Sequence, residues 1–218
     1  MRGTVRRLVG LSLVAGLFYP LLWTFELPPA TLIAAKGAGV GLLALAAALE
    51  ARTLDNWLLA LLLALGAAGD VSLEISFGVG AAAFAAAHLV SILLYLRNRR
   101  SASARDWGIA ALLPVFAAAF PGFWLRGVPE GAPFALYGLL LGTMAASAWL
   151  SRFPRGLVAL GALLFLASDM AIALRTGMTA RPFELGLAIW LLYYSGQFLI
   201  FVGVISSLPA KPAGKIYS

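Results

Sequence analysis

Residues 57–74 read WLLALLLALGAAGDVSLE, and this stretch decides the fold. From Trp57 to Gly69 it contains no ionisable side chain, and the apolar run then continues through an acid, Asp70. An α-helix needs about twenty mostly apolar residues to cross the hydrocarbon core of a bilayer. The stretch is therefore typical of a transmembrane helix that carries one carboxyl group within the membrane.

The rest of the chain has the same character. Of its 218 residues 62% are apolar and only 11% are charged, whereas a soluble domain carries about 25% charged residues. Working outward from the first stretch, seven more runs of similar length appear, joined by short connections rich in Arg, Pro and Gly. The eight predicted spans lie near residues 8–25, 31–49, 57–74, 79–96, 107–125, 133–150, 156–174 and 184–206.

These spans predict an all-α, polytopic membrane protein with a single transmembrane helical domain, residues 1–207. A short cytoplasmic tail, residues 208–218, follows it. The first run resembles a secretory signal, but it has no small-x-small cleavage site before Glu26, so we expect a retained first helix. We expect the protein in a bacterial inner (plasma) membrane.

The basic residues predict the orientation of the helices, because Lys and Arg accumulate in cytoplasmic loops. With a cytoplasmic N-terminus, three cations fall in outside loops: Arg126, Arg175 and Arg181. Twelve fall inside: Arg2, Arg6, Arg7, Arg52, Arg97, Arg99, Arg100, Arg105, Arg152, Arg155, Lys211 and Lys215. Both termini are therefore predicted to be cytoplasmic.

Composition also narrows the chemistry. Cysteine is absent and His88 is the single histidine, which argues against disulfides, thiol chemistry and a histidine-rich metal centre. We expect no metal and no cofactor. The net charge of +7 is explained by loop orientation, so nucleic acid is not an expected partner.

Four ionisable residues lie well inside predicted spans, Lys36, Asp70, His88 and Asp169, and Glu74 and Glu184 lie at span ends. A charged group in the hydrocarbon layer costs on the order of 2.5–3.5 kcal/mol, so each of them needs a reason. In the predicted orientation, Lys36, Asp70 and Asp169 occupy the outer half of their spans and His88 lies near the middle. Helices from both halves of the chain thus bring ionisable groups to a similar depth.

Two helical faces carry mixed aromatic and polar side chains, which suit an amphiphilic ligand between helices. The fourth span presents Phe84, His88, Ser91 and Tyr95, and the eighth presents Trp190, Tyr193, Tyr194 and Gln197.

Structural interpretations of these residues remain open. Asp70 and Asp169 could link packed helices through hydrogen bonds, and Lys36 could be a counter-ion to one of them. His88 could be a packing residue whose polar atoms are satisfied.

Four stretches resemble the lysoplasmalogenase family, also called YhhN-like membrane proteins. They are LGAAGDVSLE (65–74), FGVGAAAFAAAHL (77–89), GALLFLASDMAIA (161–173) and YYSGQFLIFVG (193–203). Family positions fall on Asp70, Phe77, Gly80, Phe84, His88, Ser168, Asp169, Tyr194 and Gln197. Two positions depart from the family pattern: Gly37 follows Lys36 where proline is usual, and Ser91 stands where an aromatic residue is often found.

The resemblance implies hydrolysis of the vinyl ether bond of lysoplasmalogens, with a lysophospholipid substrate drawn from membrane lipid. Such a bond hydrolyses when its β-carbon is protonated, and water then captures the oxocarbenium ion. Two carboxyl groups in one apolar site can divide the work, one protonated and one ionised. We therefore expect Asp70 and Asp169 to be the catalytic acid–base pair, assisted by His88.

The same resemblance gives roles to the neighbouring residues. Tyr194 and Gln197, with His88, would orient water or the reacting oxygen, and Tyr193 would contact the substrate. Lys36 would offset negative charge or bind the phosphate.

Two other functions fit the residues. A proton-coupled transporter of lipids or small molecules would also place acids and a histidine within its spans. A structural scaffold would use them only to hold helices together. The sequence gives no oligomeric state.

Overall fold

A computed structural model describes residues 3–208 of the chain. Within this range eight helices are long and apolar enough to cross a membrane, and no strand forms. The predicted all-α, eight-span architecture is confirmed. The helices are α1 (Gly3–Phe18), α2 (Pro29–Glu50), α3 (Leu54–Leu73), α4 (Phe77–Arg97), α5 (Ala104–Trp124), α6 (Gly131–Leu150), α7 (Leu160–Thr176) and α8 (Phe183–Ser207).

The expected tail, residues 208–218, lies outside the described range except for Leu208. The predicted boundaries are close to those observed, with one instructive difference in the first span. The α-helix ends at Phe18, and a 3-10 segment, Tyr19–Thr24, completes the span.

Pro20 explains this change of helix type. Proline has no backbone N–H, so it cannot donate to the carbonyl four residues earlier, which belongs to Gly16. A buried carbonyl needs another donor. The indole Nε1 of Trp190 on α8 supplies it, at 2.6 Å from the Gly16 oxygen. The break in α1 therefore creates a specific bond between the first helix and the last.

Helices α7 and α8 approach each other closely through two glycines. A Cβ placed on Gly161 would lie 2.6 Å from the carbonyl oxygen of Gly196, and one on Gly196 would lie 2.7 Å from that of Gly161. No side chain fits between these backbones without displacing one of them. The contact is of the small-residue kind that membrane helices use, and it holds α7 against α8.

Helix α8 is the most central element, since it contacts α1, α2, α3 and α7. Helix α4 lies between α3 and α6, whereas α5 packs mainly on α6 at the edge of the bundle. As a result, side chains from α2, α3, α4, α6, α7 and α8 can meet at one end of the bundle.

At the opposite end, ion pairs connect the helix ends and loops. Asp55 at the start of α3 accepts hydrogen bonds from Arg97 Nε and Asn98 Nδ2, both at 2.9 Å. Arg152 in turn donates to Asn98 Oδ1 at 2.7 Å. Asp106 forms a second centre, where it pairs with Arg100 and Arg155 and caps α5 in a reciprocal bond with Ser103. Arginines predicted to orient the protein therefore also join its helices.

Candidate active site

A cavity of about 580 Å³ opens at the end of the bundle where α3 and α7 finish and where α4 and α8 begin. Its walls are largely apolar and aromatic. Six acidic or basic side chains line it: Lys36, Asp70, Glu74, Asp169, Arg175 and Arg181. In the predicted orientation, this end of the bundle faces the outside.

Asp70 lies in the last turn of α3 and is 2% exposed. The hydroxyl of Tyr193 on α8 donates to Asp70 Oδ2 at 2.7 Å. Gly66, one helical turn earlier, makes room for Gln197 beside Tyr193, because a Cβ there would lie 2.9 Å from Gln197 Nε2. The first acid is thus held by α8 across a narrow helix contact.

Asp169 lies on α7, and it is half-buried at the wall of the same cavity. The hydroxyl of Tyr137 on α6 donates to Asp169 Oδ2 at 2.9 Å. The preceding residue, Ser168, donates to the carbonyl of Ile189 on α8 at 2.9 Å and fixes the rotation of α7. Each acid is therefore held by a tyrosine from a different helix.

His88 does not line the cavity. It is buried on α4 behind Tyr137, with its Nε2 at 2.9 Å from the Tyr137 hydroxyl oxygen and its ring against Phe165, at a centroid distance of 5.0 Å. Its connection to Asp169 therefore runs through Tyr137.

The single hydrogen of the Tyr137 hydroxyl couples its two neighbours. When Tyr137 donates to an ionised Asp169, His88 must donate its Nε2–H to Tyr137. When Asp169 is protonated and donates to Tyr137, His88 Nε2 can accept. The hydrogen-bond direction along His88, Tyr137 and Asp169 therefore follows the protonation state of the acid.

Lys36 pairs with Glu74, with Nζ at 2.5 Å from Oε1. The sequence suggested Asp70 or Asp169 as the counter-ion of Lys36, but neither aspartate forms an ion pair with it. Glu74 follows the last residue of α3, so its long side chain reaches Lys36 on α2 at the cavity wall.

The tyrosine pair of α8 separates into two environments. Tyr193 lines the cavity, whereas Tyr194 points away from it and contacts Ser12 of α1, at 2.8 Å between their hydroxyl oxygens. Ser12 donates its own hydrogen to the Gly39 carbonyl at 2.6 Å, so Tyr194 is the donor to Ser12. Gln197 is buried beside Gly66 and does not line the cavity either.

Among the cavity residues that the sequence did not indicate, three bear on the site's chemistry: Tyr137, Arg175 and Arg181. Tyr137 lies in an apolar run of the sixth span, four residues after Pro133. Its position near the outer end of that span, at a depth similar to that of the acids, could have indicated it. Arg175 and Arg181 were considered only as markers of orientation, although they lie close to the end of the span that carries Asp169. Within residues 3–208, no group of three or more histidine or acidic side chains is placed to hold a metal ion.

The fold and the cavity define a class: a polytopic helical membrane protein with two tyrosine-bound acids in one intramembrane site. The chain belongs to the YhhN family, whose family model matches residues 31–204. The match covers Lys36, Asp70, Tyr137, Asp169 and Tyr193, whereas Tyr19, which also lines the cavity, lies before it.

Two curated relatives are similar to the chain, and both are named lysoplasmalogenase. They come from Mycobacterium bovis and Mycobacterium tuberculosis. Each is 32% identical over 158 residues, which is 68% of this chain and 60% of the relative's length. No solved structure matches the chain significantly.

Proposed function

We propose that the protein is a plasma-membrane hydrolase that cleaves the vinyl ether bond of lysoplasmalogens. Its products would be a fatty aldehyde and a glycerophospho head group. The observation that carries this proposal is the presence of two acids, Asp70 and Asp169, on one largely apolar cavity within the bundle. The curated relatives named lysoplasmalogenase support the same chemistry.

The reaction consumes one water molecule. A protonated aspartate transfers its proton to the vinyl carbon remote from oxygen, and the carbon bonded to oxygen becomes part of an oxocarbenium ion. Water adds to that carbon and gives up a proton to the other carboxylate, which forms a hemiacetal. The hemiacetal then breaks its bond to the glycerol oxygen, which takes the hydroxyl proton as the aldehyde forms.

The hydrogen-bond partners suit these steps. Tyr193 and Tyr137 each donate to an aspartate oxygen, and such bonds stabilise the carboxylate that remains after a proton has left. His88 would act as a positioning residue, because it contacts the cavity only through Tyr137. In this scheme Tyr194 and Gln197 support the position of α8 and of Tyr193.

The cavity also suits an amphiphile. Its aromatic and aliphatic walls would hold an alkenyl chain, while Lys36 and Glu74 form a polar edge at the end of α3. Lys36 would contact the polar part of the substrate, as the sequence predicts, with its charge balanced by Glu74.

The decisive experiment uses the purified full chain in detergent micelles, with an alkenyl lysophospholipid as substrate and aldehyde release as readout. The saturated alkyl analogue is the matched control, since it has no double bond to protonate. In H₂¹⁸O, the released head group should contain no ¹⁸O, because its own carbon–oxygen bond stays intact.

Two results would contradict the proposal. One is the absence of aldehyde from a folded, monodisperse preparation. The other is activity only in sealed vesicles under a proton gradient, which is expected for a transporter.

A further inference from the structure

Two arginines at the mouth of the cavity have no role in the chemistry described above. Arg175 lies in the last turn of α7, and Arg181 lies two residues before the start of α8. Both line the cavity that holds the two aspartates. Among residues 3–208, neither forms an ion pair with a carboxylate.

Arg175 is half-buried and Arg181 is exposed, and both side chains lie on the wall of one cavity. Lys36 is neutralised by Glu74, so the arginines supply the uncompensated positive charge at the mouth. Two guanidinium groups on one cavity wall without an acidic partner offer charge-assisted hydrogen bonds to an anion. Guanidinium is also the side-chain group best suited to bidentate contact with phosphate.

The spacing along α7 is compatible with a lysoplasmalogen. Asp169 and Arg175 are six residues apart, which is ~9 Å along a helix axis. In a lysoplasmalogen, seven bonds separate the vinyl carbon that accepts the proton from the phosphorus atom. An extended chain covers about 3.6 Å in three bonds, so these seven bonds span roughly 8 Å. A lipid with its vinyl carbon at Asp169 would place its phosphate at Arg175.

We propose that Arg175 and Arg181 form the phosphate-binding subsite of the cavity and select phosphate-bearing lysolipids over neutral ones. This inference rests on the proposed function for the identity of the lipid. The subsite itself depends only on the two arginines and on their place at the cavity mouth.

The first test compares two substrates, the alkenyl lysophospholipid and the phosphate-free alkenylglycerol. Arg175→Gln and Arg181→Gln should each raise KM for the phospholipid by about tenfold or more, the range for losing one charge-assisted bond. The values of kcat should change little, and KM for alkenylglycerol should stay as in the wild type. Arg126→Gln is the matched control, because Arg126 lies at the same end of the bundle but does not line the cavity.

A binding measurement separates this inference from the reaction. Trp23 and Trp190 line the cavity, so their fluorescence should report binding of a non-cleavable alkyl lysophospholipid to the full chain in micelles. The wild type should bind it at least tenfold more tightly than the neutral monoalkylglycerol, and both arginine variants should lose that preference. This result would support the subsite even if no aldehyde were released.

Three outcomes would overturn the inference. One is equal KM changes for both substrates in the arginine variants. Another is a preference for the phospholipid that survives in the Arg175→Gln, Arg181→Gln double variant while thermal melting shows it to be folded. The third is displacement of the lipid by inorganic phosphate at equal concentration, which would assign the site to free phosphate.

Discussion

Tyr193 donates its hydroxyl hydrogen to Asp70 across the contact between α8 and α3, at 2.7 Å. The same arrangement recurs between Tyr137 and Asp169. Two acids from distant parts of the chain thus share one kind of partner and one cavity. A tyrosine donor keeps a carboxyl group in a fixed rotamer and leaves its second oxygen available to a substrate.

The first prediction concerns the two acids. Asp70→Asn and Asp169→Asn preserve the shape of the side chain but replace a carboxyl group, which can donate or accept a proton, with an amide that cannot. Turnover should therefore fall about 10²–10⁴-fold. Aldehyde release measures the effect. Asp55→Asn, an acid of the same helix α3 that lies outside the cavity, should keep near wild-type turnover. Folded Asn variants with normal aldehyde release would exclude acid catalysis by these residues.

The effect of D₂O on turnover tests the same acid catalysis in the wild-type protein. Proton transfer to carbon is slow, so wild-type turnover should fall in D₂O. The aldehyde formed there should carry one deuterium on the carbon next to its carbonyl group. Mass spectrometry of the aldehyde measures this directly. Equal rates in H₂O and D₂O would show that carbon protonation does not limit the rate.

The second prediction concerns Tyr137. Tyr137→Phe removes the donor to Asp169 and leaves His88 Nε2 buried without its partner, which costs about 1–3 kcal/mol of stability. We expect kcat to fall by about tenfold or more with KM little changed, because the bond serves an acid rather than substrate binding.

Tyr95→Phe is the control for that variant. Tyr95 is also a buried tyrosine of the bundle, but its hydroxyl has no hydrogen-bond partner. Removing this hydroxyl should leave kcat unchanged and should not lower the melting temperature. Equal losses of kcat in the two variants would show that the Tyr137 hydroxyl has no specific role in catalysis.

The third prediction concerns the contact between α7 and α8. Gly196→Ala would place a methyl group 2.7 Å from the Gly161 carbonyl oxygen, and such overpacking costs typically 1–3 kcal/mol. Thermal unfolding in detergent should show the loss. Gly10→Ala is the control, since a Cβ on Gly10 meets nothing within 4 Å. A Gly196→Ala melting temperature equal to that of Gly10→Ala would contradict the close approach.

The fourth prediction is the orientation, which the basic residues indicate and the structure leaves untested. The natural chain has no cysteine, so single cysteines report without background. Ser101→Cys should react with an impermeant thiol reagent only from the cytoplasmic side, and Val128→Cys only from the outside. Reaction with the two sides exchanged would overturn the orientation drawn from the arginines, and reaction of both from one side would contradict a crossing by α5.

The span pattern was predictable because a transmembrane helix needs about twenty apolar residues and satisfies its backbone hydrogen bonds within itself. Both requirements depend only on the local sequence. Counting along the spans predicts the depth of Asp70 and Asp169 in the membrane. The identity of their partners did not, since it depends on the rotation and order of helices far apart in sequence. Tyr137 and Tyr193 are therefore visible as partners only in the packed bundle.

Lys36 illustrates the same limit. Its burial within a span predicted an acidic counter-ion, and the structure supplies Glu74 in place of either aspartate. Asp70 and Glu74 both lie near the end of α3, one helical turn apart. This separation decides which of the two acids Lys36 can reach. Sequence spacing alone could not choose, because the rotation of α2 relative to α3 sets the answer.

The bond from Trp190 to the Gly16 carbonyl has a consequence for biosynthesis, because 174 residues separate its two ends. A ribosome delivers α1 to the membrane long before it has made α8. Until α8 is made, the indole of Trp190 cannot reach that carbonyl. The last helix to enter would therefore complete the cavity, and a stalled chain ending before Phe183 should leave Gly16 open to crosslinking with lipid.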